Sequence, residues 1–276
     1  MDPNPEDILN AVKKSGYLFE QEVATIFENL GINIRTNAAF KDADEEKSRE
    51  IDILGFKIYH SDNEKKIRVT ARFICECKNN NNPFVFITRN KSLGDGHYIP
   101  PNFQFPKKEY EVPIPNERNS YRIYNGFEYF KLKDIFPYSL QSNKAIQFCK
   151  IFPRGKEWLA QHDGIYDSIF YPLVKSVEHY KKNDSDFVKK TKWNHFSVYF
   201  PIVILNSKLY SIDTNIDNEV LNPVEHITFI REVENSKLKD AYLIDFVEKQ
   251  FIENYFSKVI EPFMKEFTNR IISNVV

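Results

Sequence analysis

Residues 195–205 read HFSVYFPIVIL and are almost wholly apolar. No alternation of polar and apolar residues marks a wet face, so the run predicts a strand buried on both faces. Such a strand needs neighbours on either side and cover above and below. The run falls short of the ~18 apolar residues of a membrane span, and no other stretch of the 276 residues approaches that length. NSK then turns the chain into LYSID, a further strand of the same sheet.

The rest of the chain supplies the neighbours. In residues 16–30, GYLFEQEVATIFENL, Phe19, Val23, Ile26, Phe27 and Leu30 recur at helical spacing, and Gly31 follows as the stop. INIRTNAAF reads as a strand, KDADEEKSR as a charged loop, and REIDILGFKIYH and IRVTARFICECK as two strands joined by SDNEKK, giving a helix and a three-strand meander. From NNNNPFVFIT to about residue 145 the period is lost among aromatic residues and prolines at 100, 101, 106, 113, 115 and 137, which predicts an insertion over about 86–143. KAIQFCKIF resumes as a strand. GIYDSIFYPLVKSVEHYKK predicts a second core helix through Ile165, Ile169, Leu173 and Val177, and KKNDSDFVKKTK a polar run beyond it. VEHITFIREV reads as a strand, and a long terminal helix is expected from about Ala241, with Phe246, Phe251, Phe256, Ile260 and Phe263 facing the core. The expectation is one α/β domain over 1–276, a mixed sheet flanked by helices. Its core spans 16–85 and 144–212, and a C-terminal strand and helix follow over 224–276.

Lys plus Arg number 38 and Asp plus Glu 39, a formal charge of -1. No global field draws the chain to a polyanion, so a nucleic-acid site has to be local. Cys75, Cys77 and Cys149 cannot all pair and lack zinc-ligand spacing. They are expected to be buried thiols. The start, MDPNPEDILNAVKK, lacks the basic and apolar regions of a secretory signal, and a cytoplasmic location with no membrane contact is expected.

Glu-x-Lys is a weak signal alone, and it occurs three times. Glu45/Lys47 and Glu64/Lys66 lie in charged runs and read as solvated loops. Glu76 and Lys78 close the strand RVTARFICECK, where a two-residue period sends both side chains to one face and Phe73, Cys75 and Cys77 to the other. Asp52 lies between Ile51 and Ile53, which are expected to share a face, while Asp52 shares the other with Leu54. An Asp in such a strand calls for a cation or a set of hydrogen bonds. If the two strands pair as a hairpin, Asp52 and Glu76 can converge on one oxygen-seeking ion with Lys78 beside it. Glu20 leans toward the packed side of its helix. Glu22 competes for that role and reads as more solvated.

The order GYLFEQEVATIF, EID, ECK resembles the PD-(D/E)XK, restriction-endonuclease-like nucleases over residues 16–85, and its opening helix resembles that of Mrr-type nucleases and archaeal-type junction resolvases. The Pro that often precedes the Asp is Ile51 here. The resemblance implies a restriction-endonuclease-like mixed sheet with a long insertion after the Glu-x-Lys strand. It implies Asp52 and Glu76 as ligands of Mg²⁺, which Mn²⁺ can replace, aided by the Cys77 backbone carbonyl and by Glu20 directly or through water. Lys78 would orient the attacking water, and the reaction would be phosphodiester hydrolysis, in DNA rather than RNA, serving restriction, antiviral defence or repair. Gln147 either matches a polar residue that many members carry downstream of the Glu-x-Lys strand, where it would contact nucleic acid, or is a surface or strand-edge amide.

Lys107, Lys108, Arg118 and Arg122, interleaved with Phe103, Phe105, Tyr110, Tyr121 and Tyr124, read either as a nucleic-acid clamp or as an irregular cap packing its aromatics on the sheet. Lys181, Lys182, Lys189, Lys190 and Lys192 read as solvated loop lysines, and His162, His179 and His195 as surface or helix-end residues. The near-neutral charge leaves room for a homo-oligomer or partner subunit. The competing reading of the whole chain is an inactive nucleic-acid-binding or assembly subunit that keeps the nuclease fold.

Overall fold

The computed structural model describes residues 3–42, 47–162, 164–215, 219–234 and 238–275, so Glu45 of the Glu45/Lys47 pair lies outside the described residues. Two helices open the chain, α1 (Pro5–Ser15) and α2 (Tyr17–Asn29). The first was not expected, although its signals are local: Asn4 caps it by accepting from the Asp7 amide, Pro5 stands at its start, and Glu6 and Asp7 precede Lys13 and Lys14 along it. Gly16, at φ 95°, joins the two helices in a conformation costly for any residue with a Cβ. Strands β1 (Asn33–Lys41), β2 (Ser48–Asp62) and β3 (Ile67–Lys78) follow as an antiparallel meander.

After β3 come β4 (Phe84–Asn90), β5 (Phe103–Gln104), the small hairpin β6 (Tyr110–Pro113) and β7 (Tyr121–Tyr124), and short helices α3 (Gly126–Tyr129) and α4 (Pro137–Leu140). A second hairpin, β8 (Asn143–Arg154) and β9 (Glu157–Gln161), leads to α5 (Tyr171–Thr191) and β10 (Asn194–Leu205). The chain ends with β11 (Leu209–Asp213), β12 (Leu221–Val224), β13 (His226–Glu234), β14 (Lys239–Glu248), α6 (Ile252–Tyr255) and α7 (Glu261–Val275). The main sheet runs β1-β2-β3-β10-β14-β13-β8-β4-β11-β12, with β5 on β10 and β9 on β8.

β10 lies parallel to β3 from Asn194/Ile67 to Leu205/Lys78. Every residue of β10 after Asn194 is buried, as its apolar sequence requires. Phe196, Val198, Phe200, Ile202 and Ile204 join a core cluster with α2, α6 and α7, while Tyr199, Val203 and Leu205 join a second cluster with α5. The helices thus cover both faces of the sheet. On the α2 face Phe27 meets Phe73 and Phe256 at ring distances of 6.1 and 5.1 Å. On the α5 face Phe84, Phe86 and Phe148 of β4 and β8 meet Phe229 and Phe246 of β13 and β14, so the far half of the sheet curls onto itself.

Four expectations are corrected. Residues 239–248 form β14, pairing in parallel with β10, and the terminal helical region starts only near Ile252. AYLIDFV is buried on both faces there, and strand pairing overrides a pattern that also suits a helix. The polar run after residue 181 continues α5 to Thr191, because Asp184 turns inward to Arg72. β4 belongs to the main sheet rather than to an insertion, and β5 adds to β10. His195 is buried on β10 against Thr70 and Ser197, and burial first of all holds its pKa down to about 4.

Asp184 fixes α5 to the sheet. Arg72 donates to both of its carboxylate oxygens, at 2.7 and 2.5 Å, and the Tyr199 hydroxyl donates a third bond at 2.6 Å. Replacing Asp184 with Ala strands a mostly buried guanidinium, so Asp184→Ala is expected to lower unfolding stability by about 3–5 kcal/mol in urea titrations. A loss under about 1 kcal/mol, the range of an exposed pair, would refute this role.

Candidate active site

The β2–β3 ladder has its last pair at Ile53/Cys75. Beyond it β2 stays with β1 to Lys41/Ser48, and β3 stays with β10 to Lys78/Leu205. The two strands part into a fork, and Asp52 and Glu76 are the first residues beyond the last pair. Asp52 bridges the fork with its side chain: Oδ2 accepts from the Cys77 amide at 2.6 Å, in place of a ladder bond. Opposite Asp52, Asn37 has a left-handed φ of 49°, and the Asn37/Asp52 pair is missing from an otherwise continuous register. The distortion corrects one detail of the sequence reading. Ile51 packs in the α5-side cluster and Ile53 in the α2-side cluster, so alternation fails at Asp52 itself.

Glu76 is 6 % exposed, and its Oε2 accepts from Lys78 Nζ at 2.8 Å. Burial pushes the Glu76 pKa up to about 7; Lys78 opposes the shift, while Asp52 and Glu20 add to it. Asp52 is raised too, by burial first, with the Cys77 amide and Lys78 opposing. Burial also raises Glu20, with Asp52 adding and Lys78 opposing. Burial works to lower Lys78, but Glu76 and Asp52 outweigh it and its pKa is raised, so the side chain stays an ammonium. The four residues therefore sense one another: three carboxyls share one permanent cation.

Of the expected site residues, Glu20, Asp52, Glu76 and Lys78 are brought together, and Glu22 is not. Glu22 is exposed and pairs with Lys249 at 2.7 Å. Gln147 is exposed on β8, opposite Ile87 of β4, with no pairing to β3 or β10. Phe103, Phe105 and Tyr110 do what the cap reading expects, whereas Tyr121 stays exposed beside Arg122. Phe103 packs on Phe263 and Phe267, and Phe105 on Phe130, which packs on Phe196. Phe196 pairs with Val69, nine residues before Lys78 on β3, so this anchor lies about 30 Å along the strand from the fork. Lys107, Lys108, Arg118 and Arg122 are exposed around it. Glu64 and Lys66 are exposed in a turn, as expected of solvated loop residues.

Sequence reading missed the rim of the fork. Asn79 donates to the Lys13 carbonyl and accepts from Asn206, whose amide bonds the Lys78 carbonyl at 3.2 Å. Asn80 Oδ1 is buried without a partner. The signal was the NNNN run directly after ECK.

Among the described residues no three His, Cys, Asp or Glu side chains are grouped tightly enough to hold a metal by themselves. Asp52 Oδ2 is turned to the Cys77 amide and Glu76 Oε2 to Lys78. The donor set still fits a hard divalent cation: Glu76 is buried and Asp52 and Glu20 half-buried, burial raises all three carboxyls, and a second cation would relieve each of them. The chain matches no protein-family model, no curated protein and no solved structure.

Glu76 titrates normally at 4.5 and in the fold at about 7. Below 4.5 it is protonated in both the folded and unfolded forms. Between 4.5 and 7 the unfolded chain releases the proton first, so the fold loses stability as pH rises through this window. In EDTA, Glu76→Gln is expected to melt above wild type at pH 8, with the gap closing toward pH 4.5. Parallel melting curves at all pH values would show that Glu76 does not carry the strain.

Proposed function

We propose that this chain is a metal-dependent nuclease of the PD-(D/E)XK, restriction-endonuclease-like class, hydrolysing phosphodiester bonds, with DNA the preferred substrate. The observation that carries the proposal is the fork. Two acids on diverging strands and a lysine two residues after the second acid converge beside a helix acid, and the buried Glu76 is held near neutrality by burial and its acidic neighbours. An ordinary internal salt bridge would need one carboxylate for Lys78. Here three compete for it, an arrangement that weakens the fold and is more economically explained by chemistry. The order of elements supports the same class: a helix, an antiparallel meander, a crossover containing α5, and β10 parallel to β3.

Asp52 and Glu76, with the Cys77 backbone carbonyl, would hold Mg²⁺ or Mn²⁺, with Glu20 as a direct or water-bridged supplement. Such an ion supplies Lewis-acid stabilisation of charge on the phosphate oxygens and on the leaving oxygen. The protein residues do the rest. Lys78, kept cationic by Glu76 and Asp52, would orient the attacking water and offset negative charge on the oxygens of the pentacovalent phosphate. Glu76 fixes the Lys78 ammonium by its 2.8 Å bond. The Cys77 amide holds the Asp52 carboxylate in place from the opposite strand. Restriction, antiviral defence or repair would each use this reaction.

Two measurements test the proposal. Supercoiled, linear and single-stranded DNA, and RNA, are incubated with the protein in Mg²⁺, Mn²⁺ or EDTA. Metal-dependent cleavage is expected, with DNA preferred and with at least about a hundredfold loss in Glu76→Ala and Lys78→Ala. Identical behaviour of wild type and both variants on every substrate would instead favour the inactive binding or assembly subunit. Independently of turnover, Mg²⁺ or Mn²⁺ is expected to raise the melting temperature of wild type and not of Asp52→Asn, because an ion bound only by the folded state stabilises it. No shift in wild type at millimolar metal would remove the ion from the proposal.

A further inference from the structure

The β8–β9 hairpin leaves the sheet at the edge that holds the fork. At that edge the Lys78 carbonyl accepts from Asn206, and the Lys208 carbonyl accepts from Phe84, the first residue of β4. Phe84 in turn pairs with Lys150 of β8. The short chain segments linking these contacts place the hairpin base within roughly 20 Å of Lys78. Ile151 still bonds the Pro83 carbonyl, but from Phe152/Leu159 to Arg154/Glu157 the hairpin runs past the start of β4, and β9 hydrogen-bonds to β8 alone. Four residues of strand carry its tip about 13 Å beyond the sheet.

The tip carries an unusual set of side chains. Trp158 is 67 % exposed, directly across the ladder from Pro153. An indole so exposed adds nothing to the buried core and contacts the fold chiefly through its cross-strand partner. Arg154 flanks it, Lys156 stands in the turn after Gly155 at φ 64°, and both are exposed with no ion pair among the described residues. Lys150, Arg154 and Lys156 face a single acid, Glu157, over residues 150–161 in a chain whose overall charge is -1. A projecting hairpin presenting one flat aromatic and cations with no ion pair among the described residues matches the chemistry of a nucleic-acid strand, whose phosphates the cations contact and whose unstacked base lies on the ring.

We propose that the β8–β9 hairpin is the substrate arm of the fork, with Trp158 stacking on an unpaired base of single-stranded nucleic acid and Arg154 and Lys156 holding its phosphates. The unpaired base is the specific element, because bases within a duplex keep their faces against one another. This deepens the nuclease proposal and rests on it for the meaning of the fork, but not for binding. Binding is therefore measured apart from cleavage, in Ca²⁺ buffer on a Glu76→Ala background, by anisotropy of labelled single-stranded DNA, single-stranded RNA and blunt duplex DNA.

Trp158→Ala is expected to weaken single-strand binding about tenfold, Trp158→Phe to restore most of it, and the blunt duplex to change little. Arg154→Ala with Lys156→Ala is expected to lower the slope of log affinity against log salt by roughly 1.4 for a single strand. The two single-strand arms separate DNA from RNA as the source of the base. Equal affinity of wild type and Trp158→Ala for both single strands overturns the proposal, and so does an equal loss on the duplex. A dimer that dissociates on Trp158→Ala, with nucleic-acid affinity unchanged, would assign the hairpin to an interface between copies and overturn it too. Cleavage by wild type with full single-strand affinity in Trp158→Ala rejects the arm and keeps the nuclease. Hairpin-dependent binding without metal-dependent cleavage keeps the arm and rejects the nuclease.

Discussion

The parallel pairing of β3 with β10 sets the rest of the molecule. Both strands are 12 residues long and run together from Ile67/Asn194 to Lys78/Leu205. A parallel neighbour cannot be reached by a tight turn, so the chain between them has to cross one face of the sheet, and α5 makes that crossing. Because β10 has no wet face, its other side also needs cover, which α2, α6 and α7 supply. The same pairing ends both strands at one edge. Charged groups without a dedicated partner are tolerated best there, where the ladder on one side has already opened.

That opening explains how an acid-rich group survives in a buried sheet. Within the continuous part of β3, charged side chains are tied to dedicated partners, as Arg72 is to Asp184. In the fork the ties are fewer than the charges. Lys78 is shared among Glu76, Asp52 and Glu20, and burial raises all three carboxyls. Membrane location does not enter the account, although among the described residues no helix is long and apolar enough to cross a bilayer.

Where the sequence is self-sufficient it reads well. The apolar run of β10 and the 3.6-residue stripe of α2 each meet a demand set by burial alone, so composition and period reveal them. Asp52, Glu76 and Lys78 stood out for the opposite reason, as charges in strands that have no local use for them. The misreadings share a different cause. β14 carries apolar residues that suit a helix or a doubly buried strand equally, and only its pairing with β10 decides. The last turns of α5 look like a loop because their one inward residue is Asp184, whose partner Arg72 is 112 positions away. The failure of alternation at Ile51 depends on the backbone of Asn37, on another strand. Each of these answers lies in a contact that no local window contains.

The placement of positive charge follows the same logic. The clearest mixture of basic and aromatic residues in the sequence lies in the region after β4, yet most of its aromatics, Phe103 and Phe105 among them, are consumed in covering the sheet end farthest from the fork, and Tyr121 alone of those named stays exposed. Aromatic residues in a long irregular segment are needed first for packing, because such a segment has little other means of holding itself down. A β-hairpin satisfies its backbone internally and can leave a tryptophan free. Trp158, exposed on a hairpin whose base is tied through β4 to the strand ends at the fork, is therefore more informative about a ligand than the rings that pack on the sheet.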